Sequence, residues 1–424
     1  MSNFWEKLEK IIFYFFLFII PFQTRKFIWA KQWPINEWTS IWLWGTDILI
    51  GGLLLLWFLD LRQQKRRAEF WRKNKLWIII SGIFGLIAIP PLFHNFSYLA
   101  FFHWLKLAEI ILFLLYLKDL SSKKVLSKLW IISILLISGL FQSIIAISQF
   151  FNQSNLGLRI LGEGILGPNL AGVAKINLNG LKLIRAYGTF PHPNILAFFL
   201  LVIILIWLSY LLKNPHWLKK YRLIFSFSAL ALLWLALFLS FSRATITLAV
   251  VLTLIFLLWQ KKFSLLLWQT LLWVCLILSL WPEISIHFLH FSSYHQSISL
   301  RLYYQNIAKA IFWFHPWIGV GWGNFVNYFI SHYPSQENWV YQPVHSIYWL
   351  ILSEMGIFGF SIFIWILGRV FRGLLKIKKK SLIQFQLGLL LFLAFLIIGL
   401  EDHSFLTTQQ GWLIIGIMII GVAN

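Results

Sequence analysis

The chain alternates between long apolar runs and short polar connections along its whole length. A membrane-spanning α-helix needs about 20 predominantly apolar residues, and twelve runs approach or reach that length. They lie at 11–21, 40–59, 76–92, 98–117, 129–150, 194–212, 223–240, 243–259, 264–281, 345–368, 382–400 and 410–423. The pattern predicts an all-α, polytopic integral membrane protein that forms one membrane domain over residues 1–424.

The composition supports the same class, because 59% of the residues are hydrophobic and only 12% are charged. The first run follows Lys7 and Lys10, as the apolar region of a signal peptide would. No small-residue cleavage site follows it, so we interpret it as a retained first span. The single cysteine, Cys275, lies inside an apolar run and is expected in the core.

The basic residues predict the orientation. With both termini in the cytoplasm, the inside connections hold 25 of the 36 Lys and Arg residues, which fits the positive-inside rule. The formal net charge of +22 is therefore explained by topology and by anionic lipid headgroups. No motif supports a nucleic-acid partner.

Two outside segments, 151–193 and 282–344, are too long to be simple turns. The second is a large outer loop for which we expect short amphipathic helices, for example around 298–315. Six of the eleven histidines lie in it or close it: His287, His290, His295, His315, His332 and His345. Their spacing is irregular and no cysteine or paired carboxylate joins them, so no metal site is predicted.

The stretch 343–359, PVHSIYWLILSEMGIFG, places a histidine at the mouth of a long apolar run. Pro343 suits the first helical position, which predicts that His345 lies in the first helical turn. A helix start attracts anions and disfavours imidazolium, so a neutral His345 would suit a general base beside an anion. The stretch alone leaves open a histidine that merely anchors the helix at the interface.

Three arginines run against the charge bias, because Arg185, Arg243 and Arg301 all fall near the predicted outer interface, on the side of His345. A guanidinium presents a planar fork that suits phosphate oxygens. Each arginine alone fits an interface anchor or an ion pair. Together with His345, they predict an anion site.

The chain resembles the O-antigen ligase and O-antigen polymerase superfamily of bacterial inner-membrane glycosyltransferases. The resemblance covers about residues 140–424. It rests on four short patterns, which are formed by His345, Ser346, Gly356 and Gly359; by Arg185, Gly188, Thr189, Phe190, Pro193 and Asn194; by Ser242 and Arg243; and by Arg301, Pro316, Gly319, Gly321 and Phe325. Ser346 stands where Asn is more usual in the family.

The resemblance implies an enzyme that moves a glycan from an undecaprenyl-diphosphate carrier to an acceptor hydroxyl at the outer face of the inner membrane, without metal or cofactor and with inversion. It implies that Arg185 and Arg301 bind the diphosphate, that Arg243 supports them, and that His345 orients or deprotonates the acceptor. The acceptor remains open among a lipid core, a growing glycan (polymerase) and a protein (O-oligosaccharyltransferase). A transporter or flippase of lipid-linked glycans is the alternative of another class.

The acidic residues inside or beside the apolar runs are further candidates, because carboxylates in a membrane are costly. We expect Glu354 to pair with a basic or polar group in the bundle, although a glycosidase-like acid/base pair is conceivable. Glu401, Asp402 and His403 lie at an outer helix end and are candidates for support of the site.

Overall fold

The structure is a computed structural model that describes residues 3–31, 35–63, 67–88, 98–123, 126–178, 180–289, 294–334 and 336–423. The described chain is mostly helical, as predicted. Its first nine helices are α1 (Asn3–Ile19), α2 (Gly45–Gln63), α3 (Arg67–Ile87), α4 (Tyr98–Lys123), α5 (Lys128–Asn152), α6 (Pro193–Lys213), α7 (Lys220–Leu239), α8 (Arg243–Trp259) and α9 (Phe263–Ser279).

The remaining helices include several short ones outside the predicted spans. They are α10 (Trp281–Leu289), α11 (Tyr294–Phe314), α12 (Phe325–His332), α13 (Ile347–Lys378), α14 (Leu382–Ile398), α15 (Ser404–Thr407) and α16 (Gln409–Ala423). Each predicted run overlaps one of the helices α1–α9, α13, α14 or α16. Among the described residues, five helices (α4, α5, α6, α7 and α13) are long and apolar enough to cross a membrane. The number of twelve spans stays a prediction.

Two small antiparallel hairpins correct the all-α prediction. Strands β1 (Arg25–Ala30) and β2 (Ser40–Trp44) form one, and β3 (Lys175–Leu178) and β4 (Leu181–Ile184) form the other. The second predicted span therefore begins at Gly45 and not at Ser40. Aromatic and β-branched residues suit a pleated, half-buried surface, so the apolar stretch before Gly45 forms a strand that pairs with β1.

Helix α6 forms the centre of the bundle. In its most apolar 18-residue window, 94% of the residues are buried, as expected for a helix that is hydrophobic all round. Helices α5, α7, α8, α14 and α16 pack around it. Helix α9 lies at the periphery and exposes Leu267, Leu271 and Leu278. Cys275 is exposed on the same helix, so its expected place in the core was wrong.

The connections that were predicted to lie outside meet at one end of the bundle, which we call the loop end. There Thr24 Oγ1 donates to the carbonyl of Ile160 over 2.8 Å, and the Ala186 N–H donates to the carbonyl of Leu239 over 2.9 Å. The side of the membrane on which this end lies stays a prediction, as does the cytoplasmic placement of the termini.

The large outer loop has a hydrophobic core of its own, formed by α11, α12 and the start of α13. It includes Tyr304, Ile311, Phe325, Phe329, Val344 and Leu350. The amphipathic helix predicted around 298–315 is α11. His290 lies outside the described residues, as do the side chains of His287 and His295. Among the described residues, no group of three or more His, Cys, Asp or Glu is placed to hold a metal ion.

Candidate active site

His345 lies at the loop end, in the irregular segment just before α13. Ser346 is the N-cap of α13, and the N–H of Ile347 donates to the carbonyl of Gly399 over 2.8 Å. The expectation that Pro343 begins the helix and that His345 lies in its first turn was therefore wrong. The hydrogen bond to Gly399 instead holds the start of α13 against the end of α14, which brings His345 to the loop that follows α14.

That loop supplies Asp402 and His403. The ring centroids of His345 and His403 lie 5.0 Å apart, and Tyr304 of α11 contacts His345 from another side at 5.6 Å. The Nδ1 of His403 lies 2.7 Å from Thr407 Oγ1. Both Asp402 and His403 are buried. The structure thus places these two expected support residues beside His345.

Asp402 connects the loop to the arginine side of the site. The backbone N–H of Ser404 donates to Asp402 Oδ1 over 2.8 Å, and the amide of Asn194 donates to Asp402 Oδ2 over 3.2 Å. Burial alone would raise the pKa of Asp402. The hydrogen bonding with Ser404 and the electrostatic interactions with His403, His345 and His192 outweigh burial and lower that pKa to about 2. Asp402 is therefore a carboxylate at neutral pH.

Arg185 follows strand β4 and is held in place by two acceptors. Its Nε donates to the carbonyl of Ser240 over 2.6 Å, and its Nη2 donates to Asn194 Oδ1 over 2.8 Å. Asn194 thus bridges Arg185 and Asp402. Since a guanidinium carries five N–H donors, this arrangement leaves Arg185 with further donors in a fixed plane.

Arg243 and Arg301 reach the same region from α8 and α11. Burial, and then the charges of Arg243 and Arg301, lower the pKa of Arg185 to about 10, while Tyr187 and Asp402 oppose the shift. Arg185 therefore stays charged at neutral pH. Arg301 forms a 3.6 Å ion pair with Glu401, and both side chains are about half exposed (41% and 55%). Exposed pairs of this kind are weak, so the Arg301 head can exchange Glu401 for another anion.

His192 is a residue of this cluster that the sequence reasoning missed. It is the N-cap of α6, and its Nδ1 accepts the N–H of Asn194 over 3.2 Å. Burial, and then the charge of Arg185, lower its pKa to about 3. The sequence carries a signal for it, since His192 lies between two prolines inside the same turn as Asn194, but the family pattern of this turn does not include that position.

His345 is neutral at physiological pH, as expected, but the physical cause differs from the expected one. Burial is the largest cause that lowers its pKa, to about 3, and the neighbouring His403 and Arg301 add to it while Asp402 opposes it. The dipole of α13 was expected to supply this effect. The pKa of His403 falls to about 4, mainly through burial, against the attraction of Asp402.

Glu354 lies away from this cluster, about two turns into α13. Its carboxylate accepts the N–H of Gly323 over 2.9 Å and the N–H of Phe325 over 3.0 Å, where α12 begins. The expected polar partners are thus backbone amides of the outer loop. The structure does not bring Glu354 into contact with His345, and its contacts are those of a residue that fixes the loop on α13.

Gly356, from the pattern that begins at His345, meets Gly319 and Gly321, from the pattern that begins at Arg301, where the outer loop contacts α13. Helix α13 is broken at Gly356, which has φ 62° and ψ −164°, so the apolar run 345–368 does not form one uninterrupted helix. The loop before α12 lies against the break. The N–H of Gly321 donates to the carbonyl of Glu354 over 2.7 Å, and the N–H of Ile357 donates to the carbonyl of Pro316 over 2.8 Å.

Only glycine fits on either side of this contact. A Cβ on Gly356 would lie 2.3 Å from the carbonyl carbon of Trp317, and a Cβ on Gly319 would lie 2.3 Å from that of Glu354. Both glycines also have positive φ, which other residues rarely adopt. The contact fixes α11 and α12, and with them Arg301, relative to α13 and His345.

Residues 228–364 match the family model described as O-antigen ligase. The resemblance to the O-antigen ligase superfamily is confirmed. Members of this family are membrane enzymes that act on lipid-linked glycans. No curated protein matches the chain.

The O-antigen ligase match and the structural cluster overlap only in part. The match contains Arg243, Arg301 and His345, together with the Gly319–Gly356 contact. Arg185 and the Asp402–His403 pair lie outside the matched residues, one before them and one after them. The hydrogen bond from Arg185 Nε to the carbonyl of Ser240 joins Arg185 to the matched segment. The hydrogen bond from the Ile347 N–H to the carbonyl of Gly399 joins the loop that carries Asp402 and His403 to it.

Proposed function

We propose that this chain is an O-antigen ligase-like glycosyltransferase, which moves a glycan from an undecaprenyl-diphosphate carrier to an acceptor hydroxyl at the outer face of the bacterial inner membrane. One observation supports this above all. Three arginines and three neutral histidines, which come from segments far apart in the sequence, converge at the loop end of an apolar bundle.

The arginines suit a diphosphate leaving group. Arg185 is held rigidly by Ser240 and Asn194, whereas Arg301 is held only by an exposed carboxylate. We assign the diphosphate to Arg185 and Arg301, with Arg243 behind them. Fixed cations near a departing anion stabilise the charge that develops there, and they act most strongly in a site that excludes water.

The proposed reaction is a single displacement. The acceptor oxygen attacks the anomeric carbon from the face opposite the diphosphate, and a new carbon–oxygen bond forms with inversion. The bond from the anomeric carbon to the diphosphate oxygen breaks, and its electron pair leaves with the diphosphate. The proton of the acceptor hydroxyl passes to the imidazole of His345. This route uses only side chains of this chain, without a metal or cofactor.

The low pKa of His345 bears on the order of binding. A ring with a pKa of about 3 accepts a hydrogen bond readily but is a weak base. A bound diphosphate would stabilise imidazolium and raise that pKa, because opposite charges nearby favour the charged form. His345 would thus gain basicity once the donor is bound. Asp402 would stabilise the imidazolium that results.

Purified protein in lipid nanodiscs, mixed with an undecaprenyl-diphosphate oligosaccharide and candidate acceptors, tests this function. We expect release of undecaprenyl diphosphate in step with one glycosylated product. A glycosylated lipid core, an extended glycan or a glycosylated protein would identify a ligase, a polymerase or an O-oligosaccharyltransferase. Movement of the donor across the bilayer without bond cleavage would refute the enzyme and establish a flippase.

A further inference from the structure

A cavity of about 110 Å³ lies beneath the β1–β2 hairpin, between the outer part of α4 and the start of α16. Its walls are rich in tryptophan, with Trp38, Trp42 and Trp44 from the hairpin, Trp322 from the outer loop and Trp412 from α16. Its size is of the order of cavities that take up a six-membered ring. The cavity is separate from the arginine–histidine cluster but lies beside it.

Two of these tryptophans are buried, since Trp44 and Trp322 are each only 8% exposed, and the other three are half-buried. The ring centroids of Trp322 and Trp412 lie 5.9 Å apart. Tryptophans of a membrane-interface belt sit at the level of the lipid headgroups, so the burial of Trp44 and Trp322 requires another explanation. A cluster of aromatic faces around a cavity suits a ligand with apolar faces of its own.

The polar groups of the cavity favour a neutral ligand with hydroxyl groups. The Nζ of Lys106 lies 2.6 Å from Asp47 and 3.0 Å from Glu109, and Arg25 pairs with Glu37, so the cations are already matched by carboxylates. The Nε1–H of Trp42, in contrast, is buried with no hydrogen-bond partner among the described residues. A buried donor left unpaired is costly, and a ligand hydroxyl would satisfy it.

The position of the cavity points to the acceptor side of the reaction. Trp38 lines the cavity, and its ring lies 5.3 Å from that of His403. Thr407 also lines it, 2.7 Å from His403 Nδ1. The three arginines are absent from the described residues that line the cavity. A ring bound there would be separated from His345 by His403 and would not contact the arginine side.

We infer that this cavity is a subsite for one neutral or N-acetylated sugar ring of the acceptor. A sugar ring combines apolar C–H faces, which pack on tryptophan, with hydroxyls that hydrogen-bond to groups such as Trp42 Nε1–H. Because the cations of the cavity, Arg25 and Lys106, are paired with carboxylates, a uronic acid would find no unmatched cation in its described walls. The assignment to the acceptor rests on the proposed function; the binding of a sugar does not.

Saturation-transfer NMR on the full chain in nanodiscs tests the binding. The probes are methyl glycosides of a neutral hexose, an N-acetylhexosamine and a uronic acid. We expect saturation transfer to the neutral hexose and the N-acetylhexosamine. Trp42→Phe and Trp412→Phe should weaken that saturation transfer, whereas Trp29→Phe, on the same hairpin but outside the cavity, should not. Saturation transfer to the uronic acid, whose carboxylate the arginines can bind, should not change in the cavity variants. Equal signals in wild type and both cavity variants would overturn the subsite.

Transfer kinetics test the assignment to the acceptor. In Trp42→Phe, we expect the KM for the acceptor to rise about tenfold, as for one lost buried hydrogen bond, while kcat and the KM for the donor change little. A rise in the donor KM instead would overturn the assignment. If wild type binds the glycosides but transfers no glycan, the proposed function fails and the sugar subsite remains. Trp412→Phe provides the same test from α16 if Trp42→Phe does not fold.

Discussion

The imidazole rings of His345 and His403 lie with their centroids 5.0 Å apart, although His345 precedes α13 and His403 follows α14 in the sequence. The hydrogen bond from Ile347 to Gly399 sets this distance, because it ties the start of one helix to the end of the other. Burial lowers the pKa of both rings, and His403 lowers that of His345 further. The pair therefore presents neutral nitrogens beside a strongly cationic region.

The role of His345 can be separated from that of the arginines. We expect His345→Ala to reduce transfer by about a hundredfold or more, as for loss of a general base. Donor binding should be almost unchanged, because we assign the diphosphate to the arginines. His345→Gln keeps a hydrogen-bonding group but no basicity, so near-normal turnover in that variant would reduce His345 to a positioning residue. Turnover and donor affinity should be measured separately.

Arg301→Lys should not be a mild change. Lysine retains the charge but loses the planar fork, so we expect a loss of roughly tenfold to a hundredfold in transfer with normal insertion in the membrane. Glu401→Gln is the matched control, because it removes the ion-pair partner of Arg301 and leaves the guanidinium in place. The free energy of unfolding of Glu401→Gln should differ from that of the wild type by less than about 1 kcal/mol. Wild-type activity in Arg301→Lys would make this residue a membrane anchor.

The buried histidines predict a dependence of stability on pH. The pKa values of His345, His192 and His403 lie at about 3, 3 and 4, below the ordinary value of 6.5. As the pH falls from 6.5 towards 4, an unfolded chain takes up protons that the folded chain refuses, so stability is lost in that window and retained above it. Thermal unfolding from pH 8 to pH 4 measures this, and His345→Gln should show a weaker dependence.

The Gly319–Gly356 contact can be tested by adding one methyl group. Gly356→Ala places a Cβ against the backbone of Trp317 at a positive φ, so we expect a loss of roughly 2–4 kcal/mol in stability. Gly368→Ala, in the same helix, meets nothing within 4 Å and serves as the control. Thermal unfolding and transfer activity should fall together in Gly356→Ala only. Equal stability of the two variants would show that the loop does not depend on this contact.

The predicted orientation can be measured with an engineered cysteine. Ser331 is exposed in the outer loop, so Ser331→Cys in a Cys275→Ser background should react with an impermeant thiol reagent in intact cells. The reason is the excess of basic residues in the opposite connections. Reaction only after the membrane is opened would reverse the orientation and, with it, the proposed side of the chemistry.

The helices were predictable because a helix that faces lipid or the centre of a bundle must be apolar over its whole length. Ser40–Trp44 was misjudged for the same reason, since an apolar strand beside a helix extends the apolar run. The break at Gly356 was not predictable, because glycine permits positive φ without requiring it. His403 could be predicted only as a candidate for support of the site, and His192 was missed, since only the packing of α6, α13 and α14 determines which histidines meet.

The completion of the site has a consequence for the way in which the chain is made. His345 and all three arginines precede α14, whereas Asp402 and His403 follow it. A nascent chain thus inserts its proposed diphosphate ligands first and receives the partners of His345 later. A product that stops before α14 would carry the arginines without Asp402 and His403, and it would also lack α14 and α16, which pack around α6. Premature termination there should therefore abolish transfer.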